Sequence, residues 1–128
     1  MTSANATNLS AGDILVVTDK SRMVKINPGT GEQTTFWTGN HGVTGGIAID
    51  DRNGTIFVTE WGFAGHVFQL DPHTADGSDL AVGILDAAGV LLHPNGRELR
   101  VSCTSVGGLY TVDRQSGSGE KSPRGPPF

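Results

Sequence analysis

One sentence is written more than once in this chain. GIAIDDRNGTIFVTE fills residues 46–60 and GVLLHPNGRELRVSC fills residues 89–103. Each gives a Gly, an apolar stretch, a polar turn ending in Asn-Gly, and a second apolar stretch. Gly46 and Gly89 stand 43 apart, and Asn53-Gly54 and Asn95-Gly96 stand 42 apart. Val16-Val17-Thr18-Asp19 matches Phe57-Val58-Thr59-Glu60 at an offset of 41. Met23-Val24-Lys25-Ile26-Asn27 matches Val67-Phe68-Gln69-Leu70-Asp71 at 44, and that segment recurs as Leu109-Tyr110-Thr111-Val112-Asp113 after another 42. The period is therefore close to 42 residues over three copies. Units of ~40–45 residues built from four short strands are the blades of β-propellers.

The second copy gives the plan of a unit. An inner strand at residues 46–50 turns at Arg52-Asn53-Gly54 into a second strand at 55–60. A loop at 61–65 leads to a third strand at 66–71, and a turn at 72–77 leads to an outer strand near 78–84. Asn-Gly predicts a type I′ hairpin, in which both central residues take positive φ. Asn27-Pro28-Gly29 and Asp71-Pro72 punctuate the following turn in the same register. Ile14-Leu15-Val16-Val17 and Ile56-Phe57-Val58 are unbroken apolar runs, which predicts sheets covered on both faces. No segment keeps a 3.6-residue period for a helix's length without Gly or Pro. Phe36-Trp37 reads as core packing on an outer strand, and the single Cys103 as an inert buried thiol.

The expected fold class is thus all-β, a partial β-propeller of four-stranded antiparallel blades. Repeats are placed near residues 12–45, 46–87 and 88–114, inside a partial propeller spanning 11–114. Residues 1–10 and 115–128 read as disordered; the latter, RQSGSGEKSPRGPPF with its preceding Arg, is Ser, Gly, Pro and charge. The first unit lacks its inner strand and the third stops after its third strand. That makes about two and a half blades, whereas closed propellers use at least ~4. The chain is expected to be a fragment, or to self-assemble and so close the ring, or to pack its repeats in some other way.

Composition narrows the partners. Only 36% of the 128 residues are hydrophobic and 19 are Gly, as befits many turns between short strands. A formal net charge of −4 with scattered basic residues points away from nucleic acid. No 18-residue apolar run exists, so no membrane partner is expected. The start, MTSANATNLSAGD, has neither a basic n-region nor an apolar h-region, which reads as cytoplasmic.

Two stretches carry a family resemblance: GGIAIDDRNGTIFVTEWGFAGHVFQLDPHT and AGVLLHPNGRELRVSCTSVGGLYTVDRQSG. They resemble the blade repeats of SMP-30/gluconolactonase/LRE-like and NHL-type propellers, over about residues 12–117. The resemblance implies a six-bladed ring. In catalytic members it implies a divalent metal, often calcium, at the channel mouth, and hydrolysis of lactones or related esters. The family's metal-binding Asn-Gly or Asp-Gly pair at the inner strand falls here on Gly45-Gly46 and Ala88-Gly89. Neither Gly45 nor Ala88 offers a side-chain oxygen to a hard cation. The residues themselves indicate no cofactor and no metal ligand; calcium enters by resemblance alone.

No nucleophile elbow, H-E-x-x-H, C-x-x-C or complete P-loop occurs, and no catalytic residue is assigned. The candidates for ligand binding lie at strand ends on one rim. Asp19 and Glu60 close second strands, Trp61 follows Glu60, His41 precedes an inner strand, and His66 opens a third strand. A charge beside an aromatic ring there could hold a polar ligand. The opposing expectation is that Trp61 packs on a neighbouring blade and Glu60 is solvated. His73 and His93 are expected as solvated turn residues. The expected function is a non-catalytic propeller module binding a protein or small molecule at the channel rim. The alternative is a piece of a metal-dependent lactonase-like hydrolase.

Overall fold

A computed structural model describes residues 9–18, 22–39, 43–61, 65–84, 86–103, 108–117 and 119–121. All regular structure among them is strand. The first sheet holds β1 (Ile14–Val17), β2 (Arg22–Ile26) and β3 (Gln33–Thr38). The second holds β4 (Val43–Ile49), β5 (Ile56–Trp61), β6 (His66–Leu70) and β7 (Gly77–Val82). The third holds β8 (Ala87–Leu92), β9 (Glu98–Cys103), β10 (Gly108–Asp113) and β11 (Gly119–Lys121). Each sheet is an antiparallel meander in chain order, one per repeat. This is an all-β fold consistent with a partial β-propeller. No helix among the described residues is long and apolar enough to cross a membrane.

The sheets stack face to face, and alternation along each strand sorts the side chains. Ile56, Val58, Phe68 and Leu70 of the second sheet turn toward the first and pack with Met23, Phe36 and Trp37. Phe57, Val67 and Ala81 turn the other way and pack with Leu99, Val101, Cys103 and Val112 of the third sheet. The second sheet is thus apolar on both faces, as its unbroken runs require. Burying each such Val, Leu or Phe contributes about 1.5–3 kcal/mol. Phe36, Trp37 and Cys103 are buried as the sequence predicts.

The register of β1 differs from the sequence match. Val17 pairs with Met23 as Thr59 pairs with Val67, so β1 aligns with β5 at an offset of 42 rather than 41. Thr18 therefore stands at the place of Glu60, not of Thr59. One residue of slip exchanges the two faces of a strand. In the structural register Leu15 and Val17 face the second sheet, where they pack. The 41-residue offset would have turned them out.

The turns also differ. Asn53-Gly54 is not a type I′ pair, because only Gly54 takes positive φ, at 79°. The connection is longer: Asp50 N–H donates to Thr55 C=O at 2.9 Å, and Gly54 N–H donates to Asp50 C=O at 2.7 Å. The same loop joins β2 to β3, β6 to β7 and β10 to β11, closed by Gly31, Ala75 and Gly117 N–H onto the carbonyls of Asn27, Asp71 and Asp113. In those three the Asn or Asp carboxamide or carboxylate caps two further N–H groups.

That loop also moves the domain bounds. Residues 115–117 and 119–121, placed by composition in a disordered tail, complete the third sheet: Asp113 turns the chain and β11 pairs with β10. Leu9 and Ser10 likewise belong to the fold rather than to a disordered start. Leu9 packs on the first core and donates to Pro72 C=O at 3.0 Å. β4 and β8 begin ahead of the repeat boundaries at Gly46 and Ala88, at Val43 and Ala87.

Candidate functional site

Antiparallel meanders put alternate turns at alternate ends of the stack. One end gathers the β5–β6, β7–β8 and β9–β10 connections, and the candidate rim lies there. The other end gathers the β4–β5, β6–β7, β8–β9 and β10–β11 turns.

At the first end, Asp19 and His41 fall outside the described residues. Glu60 and Trp61 are neighbours in sequence but emerge on opposite faces of β5. Glu60 shares the face of Ile56 and Val58, pairs in register with His66 and Thr44, and is fully buried between the first and second sheets. The expectation that it is solvated is therefore reversed. Trp61 is 46% exposed. The pair cannot grip one ligand side by side, because strand alternation separates them. His66 is half-buried, its Nδ1 is 2.8 Å from Asp79 Oδ1, and its ring stacks on Phe68 with centroids 5.3 Å apart.

The inner-strand bulges lie toward this same end. β4 loses register between Thr44 and Ile47, and β8 between Ala87 and Val90. Gly46 N–H donates to Thr59 Oγ1, and Gly89 N–H to Ser102 Oγ, each at 2.9 Å. Thr59 Oγ1 then donates to Ala88 C=O, tying the second sheet to the third, while Thr44 Oγ1 donates to Thr18 C=O and ties it to the first. A Cβ on Gly45 would lie 2.5 Å from Ala88 O, so the third sheet's backbone dictates glycine there. Among the described residues no three His, Cys, Asp or Glu side chains gather as a metal-binding group.

The charged cluster lies at the second end, in residues that sequence reading did not single out. Asp50 follows β4 and is 2% exposed. It receives Arg52 N–H at 3.0 Å and Arg52 Nε at 3.1 Å on Oδ1, and Arg114 Nη1 at 2.5 Å on Oδ2. Arg114 comes from the third sheet, donates also to Gly96 C=O at 3.1 Å, and lies 5.0 Å above the Phe57 ring. The Arg52 side chain and backbone N–H, then Arg114, hold the Asp50 carboxyl well below the usual carboxylate range, against the opposing effect of burial. The Asp113 carboxyl is also lowered, chiefly by the Ser116 and Gln115 N–H groups it accepts.

These residues wall a cavity of about 370 Å³ between the second and third sheets, with Asn53, Gln69, Arg97 and Gln115. Asp50 is matched by two guanidinium groups. Arg97 is exposed, and its charge helps to lower the Asp113 carboxyl. Three arginines against Asp50 and Asp113 leave the wall positive, although the chain as a whole is acidic. The signal in the sequence was the repeat itself. Asp50 follows an inner strand and Asp113 closes a third strand, each at the start of a turn of the same kind, and Arg52 and Arg114 follow them. What was not visible is that the two turns meet across a sheet boundary, 64 residues apart.

No family model matches the chain, and no curated protein matches it.

Proposed function

We propose that this chain is a propeller-type repeat module, of the kind its blades resemble in SMP-30/gluconolactonase and NHL proteins, and that it works by binding rather than by catalysis. Its ligand is a small polar molecule carrying negative charge. The observation that carries this reading is the Arg97-lined cavity of about 370 Å³ where two sheet ends meet. Its size lies in the ~300–1,000 Å³ range of small-molecule sites. Asp50 holds Arg52 and Arg114 in place but offsets only one of their two charges, while Arg97, Asn53, Gln69 and Gln115 complete the lining. The strand-end rim at Trp61 and His66 supports the reading less well, since Glu60 is buried and His66 is tied to Asp79. The lactonase alternative gains nothing from the bulges, where Gly45 and Ala88 present no side-chain oxygen.

The test is a titration of the chain with small mono- and dicarboxylates and with inorganic phosphate, followed by amide chemical shifts. Shifts centred on Asn53, Gln69, Arg97 and Gln115 are expected, and Arg97→Ala should weaken binding by about tenfold at unchanged thermal stability. Shifts confined to Trp61 and His66 would return the site to the other rim. No shift with any anion would sink the reading.

A further inference from the structure

We infer that the outer faces of the first and third sheets are two halves of one interface, and that a second copy of this chain docks there head to tail. The inference rests on the propeller reading above but not on the anion site.

The three sheets stack in one sense. Each presents to its successor the face carrying the places of Phe57, Thr59 and Val67, and to its predecessor the face carrying the places of Ile56, Val58, Phe68 and Leu70. In the first sheet the latter places hold Ile14, Val16, Val24 and Ile26 by strand register, all apolar. Nothing among the described sheets precedes this face; Ile14 is 48% and Val16 41% exposed, while Val24 is 7% exposed. In the third sheet the former places hold Arg100, Ser102 and Leu109, with Leu91 at the place of Ala48. Leu91 is 63% and Leu109 47% exposed. The stack thus ends in the two complementary halves of the contact it makes twice internally.

Three details suit a second copy at this junction. Ala88 stands where Gly45 stands, so an inner strand placed as β8 is placed on β4 would run into its methyl group. The first sheet, among the described residues, has no strand inside β1 to do so. Arg100 replaces Phe57 but arrives already paired with Glu98 at 3.2 Å, so its stem covers apolar surface while its charge stays matched. A contact between unlike faces is heterologous and closes into a ring when its rotation allows. Two copies of three sheets make six, within the ~4–8 blades of closed propellers.

Sedimentation velocity from about 5 to 300 μM tests this. A reversible dimer of twice the 13.3 kDa chain is expected. Ile14→Lys and Leu109→Lys, on opposite outer faces, should each lower dimer affinity at least about tenfold while the far-UV spectrum is kept. If either fails to fold, Val16→Lys or Leu91→Lys takes its place. Mixing the two variants should restore a heterodimer, because one intact junction remains between them. A monomer at every concentration overturns the inference, as does a dimer that neither variant affects. A dimer broken by only one of the two would mean like faces pair, which also overturns it. Anion shifts at Arg97 that persist in the monomeric variants would leave the binding reading standing even if this one falls.

Discussion

Asp50 shows how one side chain decides whether two repeats meet. Its carboxylate accepts from Arg52 on its own turn and from Arg114 on the next sheet. Removing it would leave Arg114, whose side chain is only 17% exposed, without its anion. Asp50→Asn should therefore destabilise the chain by about 3 kcal/mol at neutral pH, measured by urea unfolding. Because the folded-state pKa is depressed, the carboxylate's contribution is complete above the unfolded value of about 3.9 and is lost as pH falls below it. The gap between Asp50→Asn and the parent chain should shrink from pH 5 to pH 2. A gap independent of pH over that range would mean the ion pair contributes nothing.

Cys103 offers a second check at this scale. Its thiol is 2% exposed in the core between the second and third sheets. A thiol reagent should label it only as fast as that core opens. Immediate labelling of the native chain would contradict the packing.

At the scale of the element, the inner-strand bulge holds the stack together. Gly45 approaches the third sheet's backbone so closely that a methyl group has no place, whereas Gly89 would set a Cβ only 3.1 Å from Ser102 Oγ. Gly45→Ala should therefore cost about 2 kcal/mol or more, as overpacking does, and Gly89→Ala distinctly less. Equal losses in thermal unfolding would mean that the sheets do not meet at Gly45. Thr59→Val tests the same junction from the other side. It removes both the acceptor for Gly46 N–H and the donor to Ala88 C=O, and should cost about 1–3 kcal/mol. The β6–β7 turn shows how evenly such terms can balance. Ala75 holds φ at 61°, where its sister turns use Gly31, Gly54 and Gly117. Replacing it by glycine relieves about 1 kcal/mol of left-handed strain but removes a buried methyl worth about 0.8 kcal/mol.

At the scale of the whole molecule, the two tryptophans report opposite environments. Trp37 is 9% exposed and lies 5.4 Å from the Phe68 ring, while Trp61 is 46% exposed. Iodide should quench one fluorescent population and leave the other, and Trp61→Phe should remove the quenched one. Two equally quenched populations would mean that the first and second sheets do not stack.

The repeat by itself determined the strand count within a blade, their order and the antiparallel pairing, because turn residues and apolar runs are local signals. It also marked Phe36, Trp37 and Cys103 as core, since apolar side chains on a two-sided sheet have nowhere else to go. Only the tertiary structure decided the rest. The register of β1 slipped by one residue because Leu15 and Val17, not Val16, found the partner sheet. Glu60 went inside and Trp61 outside because faces, not neighbours in sequence, meet a neighbouring sheet. The composition of residues 115–121 concealed β11, since an edge strand is held by backbone hydrogen bonds and needs no apolar side chains. Asp50 and Arg114 became one cluster for the same reason that no reading of either repeat alone finds it. Their contact is made between sheets, and the spacing that brings them together belongs to the stack.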